Sequence, residues 1–312
     1  MLRHLLLHLS TKPSIGQTLD RFPASQRVVR RFVAGERIED ALSVLARLEA
    51  EGLDSAVTYL GENVASAKAA RAAADTYGAL LDAIHRRGLR ATPSVKLTHL
   101  GLDLGEGVAL ENVESVLDRA GGIVVWLDME GSVYTDRTLA VYRRLRQGWP
   151  NVAAVVQAYL YRTEADLEAL MAGSGAAGHP LRVRLCKGAY REPGAIAFPH
   201  KADVDRNYAR LAGLLLSPAA QRAGVYPAFA THDERLIRVL LDKARELHIA
   251  PDRFEFQTLY GIRADLHGLV RAAGARLRVL VPFGEEWYGY FVRRLAERPA
   301  NLLFLAKNLV RG

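Results

Sequence analysis

The 312-residue sequence predicts a (β/α)8 barrel. Three observations predict it: eight short β-like runs, segments of helical length and period between them, and polar residues gathered where the runs end. The β-like runs fall at residues 56–60, 94–97, 123–129, 153–159, 181–187, 226–232, 254–259 and 277–282. Between them, residues 65–87 are rich in Ala, a strong helix former. Residues 163–171 and 234–247 are similar, each opening after a polar residue suited to capping. Alternating β and α segments imply parallel strands joined by right-handed crossovers. Eight such units close a barrel more readily than they fill an open sheet.

The chain is long enough, and half hydrophobic, so one large core is expected. The first fifty residues hold no strand and read as helices added before the barrel. This divides the chain into a helical extension over 1–50, packed on the barrel, and one catalytic domain over 51–312. The opening MLRHLLLHLS resembles a signal peptide superficially, but His4 and His8 interrupt an apolar run confined to residues 5–7. Leu2, Leu5, Leu6 and Leu9 fall at i, i+3, i+4 and i+7, the pattern of a short amphipathic helix. No apolar run reaches the roughly 18 residues of a membrane-spanning helix. The single cysteine, Cys186, excludes an intrachain disulfide and argues against a thiolate metal cluster, which fits a reducing cytoplasm. The net charge of +8 comes mostly from scattered Arg, without a long Lys/Arg run or a nucleic-acid motif. A solvated surface accounts for it, and contact with an anionic membrane face stays open.

A doubly wound dinucleotide fold would place G-x-G-x-x-G after an early strand. The nearest Gly-rich stretch, GLDLGEG at 101–107, has the wrong spacing and reads as a loop.

Barrel active sites lie at the carboxyl ends of the strands, so polar residues there carry the functional signal. Lys96 lies in the second run. Asp128, Met129 and Glu130 end the third, and Gln157 lies in the fourth. Arg184 and Lys187 lie in the fifth, with Gly188, Ala189 and Tyr190 behind them. Thr231, His232 and Asp233 end the sixth; Glu255 and Gln257, then Leu259 and Tyr260, mark the seventh. Charges in apolar strands are costly unless paired. Each could hold a private salt bridge, but four together near one end favour a shared cavity. In the last helix, Tyr290, Arg293, Arg294 and Glu297 share one face at i, i+3, i+4 and i+7. That face is either an anion clamp of two guanidiniums or a solvated surface with an Arg–Glu pair. No metal is expected: there is no H-E-x-x-H, and His232, Asp233 and Glu234 point in different directions as neighbours. G-x-S-x-G is absent too. Cys186 reads as an inert core thiol.

Together, SVKLTHLG, WLDMEGS, VVQAYLYRT, RLCKGAYRE, ATHDERLI, FEFQTLYG and EWYGYFVRRLAERPAN resemble the proline dehydrogenase family, in its order, from Lys96 to Asn301. The resemblance implies oxidation of L-proline to Δ1-pyrroline-5-carboxylate, with hydride passing from proline C5 to N5 of FAD and electrons leaving to a quinone. It implies a stand-alone enzyme, cytoplasmic or peripheral on the inner membrane face, with a separate pyrroline-5-carboxylate dehydrogenase downstream and no nucleic-acid partner. It also implies residue roles. Arg293 and Arg294 would clamp the proline carboxylate, with Lys96 as a third cation and Asp128 paired to Lys96. Tyr190, Leu259 and Tyr290 would wall the ring. Arg184 would stand beside flavin N5 and stabilise the reduced ring, and Gln157 would hydrogen-bond the isoalloxazine. Lys187, Gly188 and Ala189 would hold the ribityl and pyrophosphate part; Thr231 and His232 would reach the adenosine, and Met129 and Glu297 would also contact the cofactor. One departure is Leu280, where many relatives carry Tyr, so a substrate-facing hydroxyl is missing.

Two other readings fit some of these residues. A Schiff-base aldolase would use Lys96 or Lys187, and would be colourless. A basic nucleic-acid or lipid binder would lose affinity steeply with salt, and leaves the strand-end charges unexplained.

Overall fold

The computed structural model describes residues 29–173 and 179–297; at 293 and 295–297 it describes the backbone but not the side chains. Eight parallel strands close in the order β1 to β8. They are β1 (Asp54–Tyr59), β2 (Ala91–Lys96), β3 (Val125–Asp128), β4 (Val152–Gln157), β5 (Leu181–Cys186), β6 (Val225–Ala230), β7 (Glu255–Leu259) and β8 (Arg276–Phe283). The barrel closes where β1 pairs with β8, from Asp54 opposite Arg278 to Tyr59 opposite Phe283. All eight expected runs are strands, although most end earlier than the apolar pattern does. Met129, Lys187, Thr231 and His232 therefore lie just past strand ends, in the loops that frame the barrel mouth.

Helices surround the barrel: α1 (Ile38–Ala50), α2 (Ala67–Arg86), α3 (Glu106–Ala120), α4 (Thr135–Arg146), α5 (Thr163–Ala172), α6 (Lys201–Leu215), α7 (Pro218–Arg222), α8 (Glu234–Glu246), α9 (His267–Ala272) and α10 (Trp287–Glu297). Their apolar stripes bury Leu80, Leu81 and Ile84 on α2, and Ile237 and Leu240 on α8, against the outer barrel face. Buried polar side chains fix their seating on the strands. The Tyr77 hydroxyl donates to the Ser94 carbonyl at 2.8 Å, and that of Tyr208 to the Leu185 carbonyl at 3.1 Å. Each pairing satisfies a buried group that would otherwise cost stability.

Local chemistry sets the helix starts. The Ser66 hydroxyl accepts from the Ala69 amide at 3.2 Å, and the Asp233 carboxylate from the Arg235 amide at 3.1 Å. At α5 the expected cap fails. Arg162 has no acceptor to offer, and its guanidinium instead binds Asp136 at 2.6 Å and Asp166 at 2.9 Å. The GLDLGEG stretch is only partly a loop, because α3 begins inside it at Glu106. Gly101 (φ 97°) makes the preceding turn; a Cβ there would lie 2.7 Å from a Val108 methyl.

The amphipathic helix expected at residues 2–9 lies outside the described residues. From residue 29 onward, Val29, Phe32 and Val33 pack with Ile262 and with Trp287, Phe291 and Val292 of α10. This small second core ties the segment before α1 to the last described helix.

Candidate active site

Arg184 is the hub. It enters the barrel from β5 with its side chain only 4% exposed. Nη1 donates to Asp128 Oδ1 at 2.7 Å and to Ser94 Oγ at 2.8 Å, and Nε donates to Gln257 Oε1 at 2.6 Å. The guanidinium also lies over the Trp126 ring, 4.5 Å from its centroid. Ser94 donates to the same Asp128 oxygen at 2.7 Å. Three other strands, β2, β3 and β7, thus fix one guanidinium. Its Nη2 is buried and has no hydrogen-bond partner among the described residues.

One strand away, Gln157 ends β4. Its Nε2 donates to the Met129 carbonyl at 3.0 Å, while Oε1 is buried without a partner among the described residues. Buried polar atoms are satisfied as a rule, so an unmet donor and an unmet acceptor on neighbouring strands mark a place for a polar ligand.

Beside them the chain after β5 pairs with the chain after β4: the Tyr159 amide donates to the Lys187 carbonyl at 2.9 Å. Gly188 (φ 108°) passes so close that a Cβ would lie 2.2 Å from the Tyr159 ring. Ala189 follows, exposed, and Tyr190 is half-buried. Lys187 Nζ donates to Asp205 at 2.5 Å and to Asp233 at 3.2 Å. Burial opposes ionisation of both carboxyls, but the Lys187 and Lys201 ammoniums outweigh it and hold them below the usual range. At the end of β6 the Thr231 amide donates to the Gln257 carbonyl at 3.1 Å, and His232 Nε2 accepts from the Leu259 amide at 2.8 Å. That bond leaves the His232 proton on Nδ1. Thr231 and His232 are therefore anchored to β7.

On the opposite side, the expected pair between Lys96 and Asp128 does not form. Lys96 Nζ donates instead to Glu62 at 3.1 Å, because Glu62 follows β1 on the neighbouring strand and Asp128 is already held by Arg184 and Ser94. Leu259 and Tyr290 are half-buried and pack against the second core, and the Arg294 guanidinium lies 5.3 Å from the Tyr290 ring centroid. The side chains of Arg293 and Glu297 lie outside the described ones, so of the expected shared face only Tyr290 and Arg294 can be followed. Burial pushes the Cys186 thiol up to about 11, as an inert core cysteine requires.

A family model for proline dehydrogenase matches residues 41–307. The chain belongs to the proline dehydrogenase family. It is 38% identical over 316 residues to proline dehydrogenase 1 of Bacillus subtilis subsp. natto, covering 100% of both chains. It is 37% identical over 320 residues to a proline dehydrogenase of Deinococcus radiodurans, covering 99% of this chain and 98% of that one. Proline utilization A (PutA) from Bdellovibrio bacteriovorus superposes with a TM-score of 0.81 at 26% identity. This chain spans 33% of that larger protein, and 88% of this chain is covered.

A proline dehydrogenase is an oxidoreductase of proline metabolism, and in this chain the polar groups described above gather inside the barrel and at its mouth. Four participants had no role assigned from sequence. Glu62 lies in a loop and Ser94 is a small hydroxyl in a strand, and neither stands out. Glu255 and Gln257 did stand out as polar residues two apart on β7, which puts both on one face of the strand. What the sequence did not give was their neighbours, Arg184 from β5 and Arg278 from β8.

Proposed function

We propose that this chain oxidises L-proline to Δ1-pyrroline-5-carboxylate with FAD as cofactor and a quinone as electron acceptor, the first step of proline degradation to glutamate. When bound, FAD supplies the two-electron acceptor, taking a hydride from proline C5 at its N5. The observation that carries the reading is the pair of unmet buried atoms, Arg184 Nη2 and Gln157 Oε1. The edge of an isoalloxazine ring offers both acceptors and a donor, so it would satisfy the two together.

The chain's own part is to bind and orient. Arg184, held by Asp128 and Ser94, presents fixed positive charge at the hydride-accepting end. Lys187, beside Gly188 and Ala189, would offset phosphate charge, with the glycine permitting close backbone approach. Thr231 and His232 would contact the adenosine side, and Met129 and Glu297 would lie along the cofactor. Arg293, Arg294 and Lys96 would receive the proline carboxylate. Tyr190, Leu259 and Tyr290 would enclose the ring and exclude water. Leu280, half-buried in β8 opposite Leu259, adds apolar surface where a Tyr would add a hydroxyl.

We read residues 51–312 as the catalytic domain and 1–50 as an extension packed on it, which the contacts of Val29 and Phe32 with α10 support. No helix among the described residues is long and apolar enough to cross a membrane. The enzyme would work in the cytoplasm or on the inner membrane face, where the net charge of +8 favours anionic lipid and a quinone is at hand. A downstream dehydrogenase would consume the product.

The deciding experiment is an absorbance spectrum of the purified protein, before and after proline is added without oxygen. A flavin band that bleaches with L-proline but not with D-proline is the expected result. A colourless protein that takes up no FAD would overturn the reading. A Schiff-base aldolase gains nothing from the structure, since both candidate lysines are engaged in ion pairs, Lys96 with Glu62 and Lys187 with Asp205 and Asp233.

A further inference from the structure

The interior of the barrel carries a chain of polar contacts that starts well below its mouth. Arg278 of β8 forms a two-point ion pair with Glu255 of β7, at 2.9 and 3.0 Å, and also donates to the Ser55 carbonyl at 2.9 Å. Glu255 is 1% exposed. Burial works against its charge, but Arg278 outweighs burial and holds the carboxyl below the usual range. Glu255 Oε1 then accepts from Gln257 Nε2, and Gln257 Oε1 accepts from Arg184 Nε at 2.6 Å.

Chemistry fixes the direction of this chain. A primary amide can be turned either way, and its two ends differ only in whether they donate or accept. Here one neighbour is a carboxylate, which only accepts, and the other is a guanidinium, which only donates. One orientation of Gln257 satisfies both. With Gln257 so set, Arg184 has Nε and Nη1 committed and its plane pinned on Trp126, and Nη2 is the nitrogen left over.

We propose that Glu255 is a positioning residue: bonded at two points to Arg278, it locks the Gln257 amide with its oxygen toward Arg184, and thereby fixes the guanidinium whose unpaired Nη2 would meet the cofactor. Glu255 does not touch the reacting atoms. Its effect passes through Gln257. The inference rests on the flavin reading above, and its test separates the two.

The measurement is the midpoint potential of bound FAD in the purified holoenzyme, with thermal unfolding and steady-state kinetics beside it. In Glu255→Gln the amide at 255 cannot accept from Arg278 and Gln257 equally, so the orientation at 257 is no longer enforced. Oxidised FAD should then be favoured over reduced FAD about tenfold more than in the parent, a drop of about 30 mV for a two-electron couple. Turnover should fall by a similar factor, with the proline KM unchanged. Gln257→Leu should lower the potential at least as much. Because Glu255 acts through Gln257, adding Glu255→Gln to Gln257→Leu should lower it no further. Should Glu255→Gln fail to fold, Glu255→Asp keeps a charge opposite Arg278 while withdrawing the carboxylate from Gln257, and should give the same drop. A variant that loses thermal stability but keeps the parent potential would show a structural role only and overturn the proposal. So would a further drop in the double variant. A parent protein that binds no flavin would instead sink the cofactor reading, and this inference with it.

Discussion

Lys96 and Asp128 are register partners on β2 and β3, yet each takes its ion pair elsewhere, Lys96 from Glu62 at 3.1 Å and Asp128 from Arg184 at 2.7 Å. The two adjacent strand ends therefore deliver charges of opposite sign to different tasks. Lys96 sits in a half-open pair, its side chain 13% exposed, against a carboxylate that is 28% exposed. Asp128 is locked to a guanidinium that barely meets solvent.

Lys96 could exchange its Glu62 contact for a substrate carboxylate. Lys96→Met should raise the proline KM by about tenfold or more, since a charge-assisted contact is lost. Stability should change by about 1 kcal/mol or less, as expected for a partly exposed pair. Steady-state kinetics and urea unfolding measure the two effects. An unchanged KM would remove Lys96 from the substrate site.

Asp128 should behave in the opposite way. Asp128→Ala leaves the buried Arg184 charge without its counterion, and should cost about 3 kcal/mol in urea unfolding of the flavin-free protein. Asp128→Asn should cost less, because the amide oxygen still accepts from Nη1. If the alanine variant is as stable as the parent, the ion pair is not what holds Arg184.

His99 makes stability depend on pH. Burial, helped by the Lys96 charge, lowers its pKa from 6.5 to about 4; the carboxylate of Glu62 and a backbone contact at Tyr59 act the other way. The folded state thus refuses a proton that the unfolded state accepts. Stability is complete above pH 6.5 and is lost as the pH falls from there toward 4, with about 1 kcal/mol gone by about pH 5.5. Glu130, whose carboxyl is raised by burial, has the reverse sign. His99→Phe, which keeps the ring stacked 5.1 Å from that of Tyr59, should flatten the histidine's part of the profile. Parallel profiles for parent and variant would contradict this.

Gly188 offers a test of the cofactor cradle. In Gly188→Ala the methyl meets the Tyr159 ring and the backbone must leave φ 108°. The segment carrying Lys187 should shift, and the FAD content of the purified protein should fall severalfold at little cost to the fold. Full occupancy would show that this segment does not bear on the cofactor.

The barrel was readable because its signal is redundant. Eight apolar runs separated by helical periods leave few alternatives, and a mistaken boundary at Met129 or Lys187 changes no strand order. The site was readable as a set of residues and less so as a set of partners. Arg184, Asp128 and Gln157 are polar residues in apolar strands, which sequence reveals directly. That Asp128 pairs across two strands with Arg184, in preference to its register neighbour Lys96, depends on which way each side chain leans inside a closed barrel. The α5 cap failed for a related reason: a position was judged by polarity, whereas capping needs an acceptor, and Arg162 has none.

The polar chain from Arg278 to Arg184 has a consequence for how the enzyme can change. In barrels of this type the lower half is commonly treated as scaffold and the upper rim as the part that varies with chemistry. Here the two halves share a continuous set of hydrogen bonds across β8, β7 and β5. A library aimed at thermostability that varies the deep positions of β7 and β8 would also alter redox behaviour, and selection for one property would drag the other along.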